Sequence, residues 1–168
     1  MNENSTIENL NQFEHINILE LNEVEQNYMV KLGLEVLQKR HNPGECLQSP
    51  EDTRQYLQLL LSDRKNEVFG ILLMDNKHRI LAVEELFHGT LNHASVFVRP
   101  IIQCALELNS ASCILFHNHP SGDPEPSNAD KAITKKIVDA LKHIDVSTLD
   151  HIVVGAEGSI SFAERGLI

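Results

Sequence analysis

The segment that most restricts what this chain can fold into is residues 111–144. ASCILFH, residues 111–117, is an apolar run that ends on a histidine, and PSGDPEP, residues 120–126, holds three prolines and a glycine. From Ser127 onward, Ile133, Ile137, Val138, Leu141 and Ile144 recur at helical spacing. An apolar run of strand length bounded by turn residues predicts a buried strand, and the later spacing predicts an amphipathic helix. The two are joined by a loop that Pro120, Pro124 and Pro126 stiffen, with Gly122 permitting a tight turn.

The flanking sequence supplies more elements of both kinds. Residues 22–40 place Val24, Tyr28, Leu32, Val36 and Leu37 at three-to-four spacing, with acids early and Lys39-Arg40 late, as an amphipathic helix does. HNPGE, residues 41–45, reads as a break. Ser49 as N-cap, Pro50 at the first helical position, and Glu51 and Asp52 in the first turn start a second helix that should end near Asp63. EVFGILLMD from Glu67 and HRILAVEELF, separated by Asp75-Asn76-Lys77, predict a hairpin. PIIQCALELN, residues 100–109, predicts a helix with Pro100 in its first turn, and HIVVG (151–155) and SISF (159–162) predict closing strands. The expected fold is α/β, a single mixed sheet flanked by helices, with residues 1–48 as a polar tail and helical extension and residues 49–168 as the domain proper. The strand-to-loop segment 116–130 lies at the end of a central strand, where such sheets usually place their sites.

Composition removes several functional classes. With 14 Lys and Arg against 24 Asp and Glu, the net charge is −10, and the acidic excess is spread over both halves. Duplex binding is driven by cations on phosphates, so non-specific nucleic-acid binding is disfavoured. Three cysteines, Cys46, Cys104 and Cys113, form no CxxC pair, which suggests neither a disulfide framework nor a Cys-rich zinc finger. The polar, acidic start lacks the features of a signal peptide, and no apolar run approaches membrane-spanning length, so a cytoplasmic protein is expected.

In FHNHPSGDPEPSNAD, residues 116–130, His117 and His119 project to the same side of an extended segment while Asn118 faces away. Asp130 arrives from the first turn of the next helix. Two His and one carboxylate are a familiar ligand set for a catalytic zinc. Ser127 and Asp130 also fit a helix cap that needs no metal, but a cap gives no reason for the two histidines. A metal-activated water needs a general base, for which Glu67, Glu84 and Glu85 at strand ends are candidates that spacing does not separate. Asp123 and Glu125 read as solvent-facing loop charges. His151 reads as a structural histidine, His88 and His93 as surface residues of a loop, and Cys113 as buried packing.

The same stretch resembles the JAMM (MPN+, or JAB) metalloprotease signature, His-x-His, seven residues, Ser-x-x-Asp, and its flanks resemble the bacterial RadC family. The likeness continues through EVFGILLMD, ELFHGTLN, LDHIVVG and SFAERGLI, covering about residues 65–168. It implies a cytidine-deaminase-like (JAB/MPN) fold. It also implies zinc held by His117, His119 and Asp130, with Ser127 helping to hold the oxyanion. A Glu-x-x-Gly segment in these proteins carries the distal acid, and Glu67-Val68-Phe69-Gly70 matches it, so the resemblance selects Glu67 as the base for a zinc-bound water. The implied activity is zinc-dependent hydrolysis of a peptide or isopeptide bond in a peptide or protein substrate. The competing readings are a catalytically idle scaffold of this fold and a DNA-repair accessory protein. The sequence departs from the family in two places. Residues 1–48 show no helix-hairpin-helix pattern, which counts further against DNA binding, and Val98-Arg99-Pro100 stands where Pro-Arg-Glu is usual.

Overall fold

The computed structural model describes residues 17, 20–40, 49–89 and 96–168. The expectations for the polar start of the chain, the break at 41–45, Cys46 and His93 lie outside the described residues. The chain divides into two compact units, residues 1–33 and 34–168. Helix α1 runs from Glu23 to Arg40, close to the predicted span. Asn22 starts it, its side-chain carbonyl accepting from the backbone N–H of Val24 and Glu25 while its own N–H donates to the Glu25 carboxylate. Along α1, Val24, Tyr28, Met29, Leu32 and Val36 are exposed.

The second unit is built on one sheet. Helix α2 (Pro50–Leu61) begins as its sequence dictates, with the Ser49 hydroxyl oxygen accepting from the Asp52 N–H at 3.1 Å. Strands β1 (Val68–Met74) and β2 (Ile80–His88) form the hairpin, followed by α3 (Val98–Glu107), β3 (Ser112–Asn118), α4 (Asn128–Lys142), β4 (Ser147–Gly155) and β5 (Gly158–Ser161). The strand order is β2-β1-β3-β4-β5. β1 is antiparallel to both of its neighbours, β3 and β4 are parallel, and β5 returns antiparallel to β4. The α/β fold with a single mixed sheet is as expected. Helix α3 starts two residues earlier than the Pro100 signal indicated, and β4 starts four residues before HIVVG. The added residues of β4, Ser147–Asp150, alternate exposed and half-buried positions, so they carry no apolar run to announce a strand.

Alternation along the strands divides the core into two layers. On one face, Val68, Leu72, Met74, Ile114, Phe116, Ile152 and Val154 pack against Tyr56, Leu57 and Leu61 of α2. On the other, Phe69, Ile71, Leu73, Cys113 and Leu115 pack against Ile101 and Ala105 of α3 and Ile137 and Leu141 of α4. β1 and β3 are buried along their whole length, as central strands covered on both faces must be. Gly70 has a steric reason in this arrangement: a Cβ there would lie 2.2 Å from the tip of the Phe116 ring and 2.5 Å from the Glu84 carbonyl oxygen. Only glycine lets that ring cross β1.

Candidate metal centre

The site forms where β3 leaves the sheet. His117 is the penultimate residue of β3 and 1 % exposed, and the His119 N–H continues the ladder to the Val154 carbonyl at 2.8 Å. The two rings therefore leave the strand on one side, and their Nε2 atoms are 3.0 Å apart. The loop that follows folds back on itself. The Gly122 N–H donates to the His119 carbonyl at 3.0 Å, and His119 Nδ1 donates to the Asp123 carbonyl at 2.8 Å. That carbonyl can only accept, so in a neutral His119 ring the Nε2 atom is bare. The loop lies flat on the end of β4, because a Cβ on Gly155 would meet the Gly122 carbonyl oxygen at 2.2 Å and the Pro124 nitrogen at 2.8 Å.

Ser127 and Asp130 form the reciprocal cap that the sequence suggested. The Ser127 N–H donates to Asp130 Oδ2 at 2.7 Å, and the Asp130 N–H donates to Ser127 Oγ at 3.1 Å. The same carboxylate turns its oxygens to the histidines, with Oδ1 at 3.6 Å from His117 Nε2 and Oδ2 at 3.4 Å from His119 Nε2. One donor atom from each of His117, His119 and Asp130 can be chosen so that all lie within 4.8 Å of one another. Among the described residues no other group of three His, Cys, Asp or Glu is so arranged.

The electrostatics of the cluster keep the Asp130 carboxylate ionised beside the two rings. Burial works against the Asp130 carboxylate, but the neighbouring His117 and His119 rings and the Ser127 N–H outweigh it and hold its pKa well below the carboxylate range. The hydrogen bond to Asp130 raises the His119 pKa against the effect of burial, with smaller contributions from the Asp123 carbonyl and the charges of Asp130 and Glu67. Two imidazole nitrogens and a carboxylate oxygen at this spacing are a donor set that zinc accepts, so these residues fit the metal.

Glu67 is half-buried, one residue before β1. Phe69 pairs with His117 across the antiparallel β1–β3 ladder, and the same register carried two residues further sets position 67 opposite position 119. Directly opposite residues share a face, so Glu67 belongs to the side of the sheet that carries the histidines. Glu84 and Glu85 lie on β2, across β1 from β3. Glu85 is engaged by Arg64 at 2.8 Å.

Three residues to which the sequence reading gave no part in the site hold it together. Asn118, between the two histidines, accepts from the Val68 N–H at 2.7 Å and donates to the Asn66 carbonyl at 3.2 Å. It thereby grips the backbone on both sides of Glu67. His151 of β4, read as structural, is fully buried with Nε2 at 2.8 Å from His117 Nδ1. Thr134 of α4 lies 2.6 Å from His151 Nδ1. Burial, and then the neighbouring His117, push the His151 pKa well below its ordinary value. The signal available in the sequence was a polar residue inside an otherwise apolar strand, which requires a partner. Cys113 does serve as packing: burial pushes its thiol up to about 12, with the Thr148 hydroxyl acting weakly the other way.

A mixed five-stranded α/β sheet, with a His-x-His pair at the end of its central strand and an aspartate on the first turn of the next helix, defines a JAB-type domain. The model of the family described as "RadC-like JAB domain" matches residues 47–167, and the chain belongs to that family. It is similar to the UPF0758 protein of Shewanella pealeana, with 50% identity over 139 residues, 83% of this chain and 62% of that one. It is 51% identical over 138 residues to the UPF0758 protein of Aeromonas hydrophila, covering 82% and 62%. With the UPF0758 protein of Vibrio cholerae it shares 48% identity over 141 residues, covering 84% and 89%. The chain thus spans 62% of the length of the first two relatives. No helix among the described residues is long and apolar enough to cross a membrane.

Proposed function

We propose that this chain is a zinc-dependent metallopeptidase of the JAMM type, hydrolysing a peptide or isopeptide bond in a peptide or protein substrate. The observation that carries the reading is the convergence of one ligand atom each from His117, His119 and Asp130 within 4.8 Å of one another. Three protein ligands leave a tetrahedral ion one open position. Zinc, when bound, supplies a Lewis acid that polarises a carbonyl and brings a water within reach of deprotonation near neutral pH.

The other steps belong to side chains. Glu67, on the histidine side of the sheet and close enough to influence His119 electrostatically, takes the proton of the attacking water and returns it to the leaving amine. Ser127 Oγ accepts the Asp130 N–H, which leaves its own hydroxyl proton free to be donated. A hydroxyl so anchored is suited to stabilise a developing oxyanion. Free Cys104 and Cys113 agree with a reducing compartment, and a cytoplasmic location is part of this reading.

The test is metal analysis followed by a peptide and isopeptide cleavage screen on the wild type and Glu67→Gln. Stoichiometric zinc in both proteins, with cleavage reduced about 10²–10⁴-fold in the variant, is expected for loss of a general base. A wild type that takes up no zinc ends the metallopeptidase reading. Zinc in both with cleavage by neither leaves a catalytically idle scaffold, and zinc in both with equal cleavage removes Glu67 as the base.

A further inference from the structure

We infer that His151 and Thr134 are positioning residues that hold His117 in the one tautomer able to offer Nε2 to the cluster, by a hydrogen-bonded chain running back to the backbone of Asp130. The inference rests on the metal reading above and deepens it.

The chain of contacts has four members and only one consistent set of protons. Thr134 Oγ1 lies 2.6 Å from the Asp130 carbonyl oxygen, one helical turn earlier on α4. A carbonyl has no proton, so the threonine hydroxyl must donate its only one there. Its oxygen is then left to accept from His151 Nδ1 at 2.6 Å, which places the proton of a neutral His151 on Nδ1. His151 Nε2 must therefore accept, and the partner 2.8 Å away, His117 Nδ1, must donate. With Nδ1 protonated, His117 presents a bare Nε2 to His119 and Asp130. His151 is 0 % exposed, and Thr134 and His117 are each 1 % exposed, so no solvent competes for any link.

Packing fixes the ring as firmly as hydrogen bonding does. Phe162 stacks on His151 with centroids 4.7 Å apart and planes at 29°, and Phe69 meets it edge-on at 5.4 Å. Phe69 also stacks on His117 at 6.0 Å. Phe162 is tied to the same strand, its N–H donating to the His151 carbonyl at 3.0 Å. On the adjacent side, Asp150 accepts from the Ser161 hydroxyl at 2.6 Å and the Ala163 N–H at 2.9 Å, which anchors the segment carrying Phe162. The chain spans three elements. β3 supplies His117, β4 supplies His151, and α4 supplies both Thr134 and the third donor, Asp130. Outer partners of metal-binding histidines set tautomer and ring orientation and commonly change metal affinity about 10–100-fold when removed.

The experiment reads the His117 tautomer directly, from the ring ¹⁵N shifts of metal-free protein, and zinc affinity by competition with a chelator. His151→Phe keeps a ring against Phe162 and removes both nitrogens. It is expected to let His117 populate the Nε2–H tautomer and to weaken zinc about 10–100-fold. His151→Gln, whose carbonyl can still accept, is expected to recover part of both. Thr134→Val removes the acceptor for His151 Nδ1 and is expected to shift the same His117 signals with a smaller loss of affinity. A folded His151→Phe protein with wild-type His117 shifts and affinity overturns the inference. If that variant does not fold, unchanged shifts in Thr134→Val do so. A wild type that binds no zinc defeats the metallopeptidase reading separately, and the tautomer measurement still decides this one.

Discussion

Phe116 and His117 are consecutive residues of β3, both buried, and they point to opposite faces of the sheet. Phe116 enters a layer closed by α2, where it packs with Tyr56, Leu57 and Leu61 and with apolar residues of β1 and β4. His117 enters a layer equally apolar further down the strand, but at its upper end it meets His151, Thr134, His119 and Asp130. Burial is therefore not what separates them. One face stabilises by removing surface from water. The other holds polar groups that are tolerable only because each has a partner.

The difference is sharpest in a paired substitution. Phe116→Ala is expected to cost about 3–5 kcal/mol through lost burial and a cavity against Gly70. In a domain of this size that lowers the thermal midpoint by about 6–20 °C. Zinc affinity of the protein that remains folded should be unchanged. His117→Ala is expected to abolish zinc binding even in protein that stays folded, and to destabilise the metal-free protein through the cavity beside Phe69 and by about 1–3 kcal/mol for the unpaired His151 nitrogen. Calorimetry and metal titration on both variants check this. Loss of zinc by folded Phe116→Ala protein would show that the two faces are not independent.

Asn118 sharpens the comparison from the other side. By alternation it faces the α2 layer with Phe116, yet its amide holds Asn66 and Val68, which flank Glu67. Asn118→Leu leaves a buried N–H and a carbonyl unpaired, for about 1–3 kcal/mol. If Glu67 is the base, turnover should fall while zinc stays bound and KM changes little. A variant that lowers stability alone, with kcat intact, would confine Asn118 to the apolar layer.

How much of this was legible in the sequence follows the same division. The apolar face could be read from periodicity, and the helix starts from their caps, because Ser49 and Ser127 act within three residues of themselves. The His-His-Asp cluster was legible because its members lie within fourteen residues of one another. The partners of His117 were not, because they reach it through the β3–β4 register and the placement of α4, which no local pattern encodes. Thr134 is one polar residue among many on an amphipathic helix, and His151 reads as a structural histidine. Gly70 could be matched to a motif from the sequence, but its physical reason, the Phe116 ring crossing β1, requires the pairing of β1 with β3. Among Glu67, Glu84 and Glu85, periodicity was silent; the register sets position 67 opposite position 119, while Glu84 and Glu85 lie one strand further from β3.

The β1–β2 turn is the region furthest removed in kind from both faces, and it supplies the smallest effect. Asp75 accepts from the backbone N–H of Lys77 at 2.8 Å and of Arg79 at 2.9 Å, and its other oxygen meets the Arg79 guanidinium at 2.6 Å. The Arg79 backbone hydrogen bond is the largest influence, and together these contacts lower the Asp75 pKa to about 2. The folded pKa lies below the unfolded one, so the stabilisation is present above the ordinary carboxylate range and is lost as pH falls through about 2. Asp75→Asn can keep one carbonyl acceptor but not the charge. Its thermal midpoint should fall slightly below wild type at neutral pH, and the gap should close between about pH 4 and pH 2. The turn is exposed and the ion pair screened, so the shift should be small and should shrink further in high salt. A gap that stayed constant with pH would place the effect in the shape of the turn rather than in the charge of Asp75.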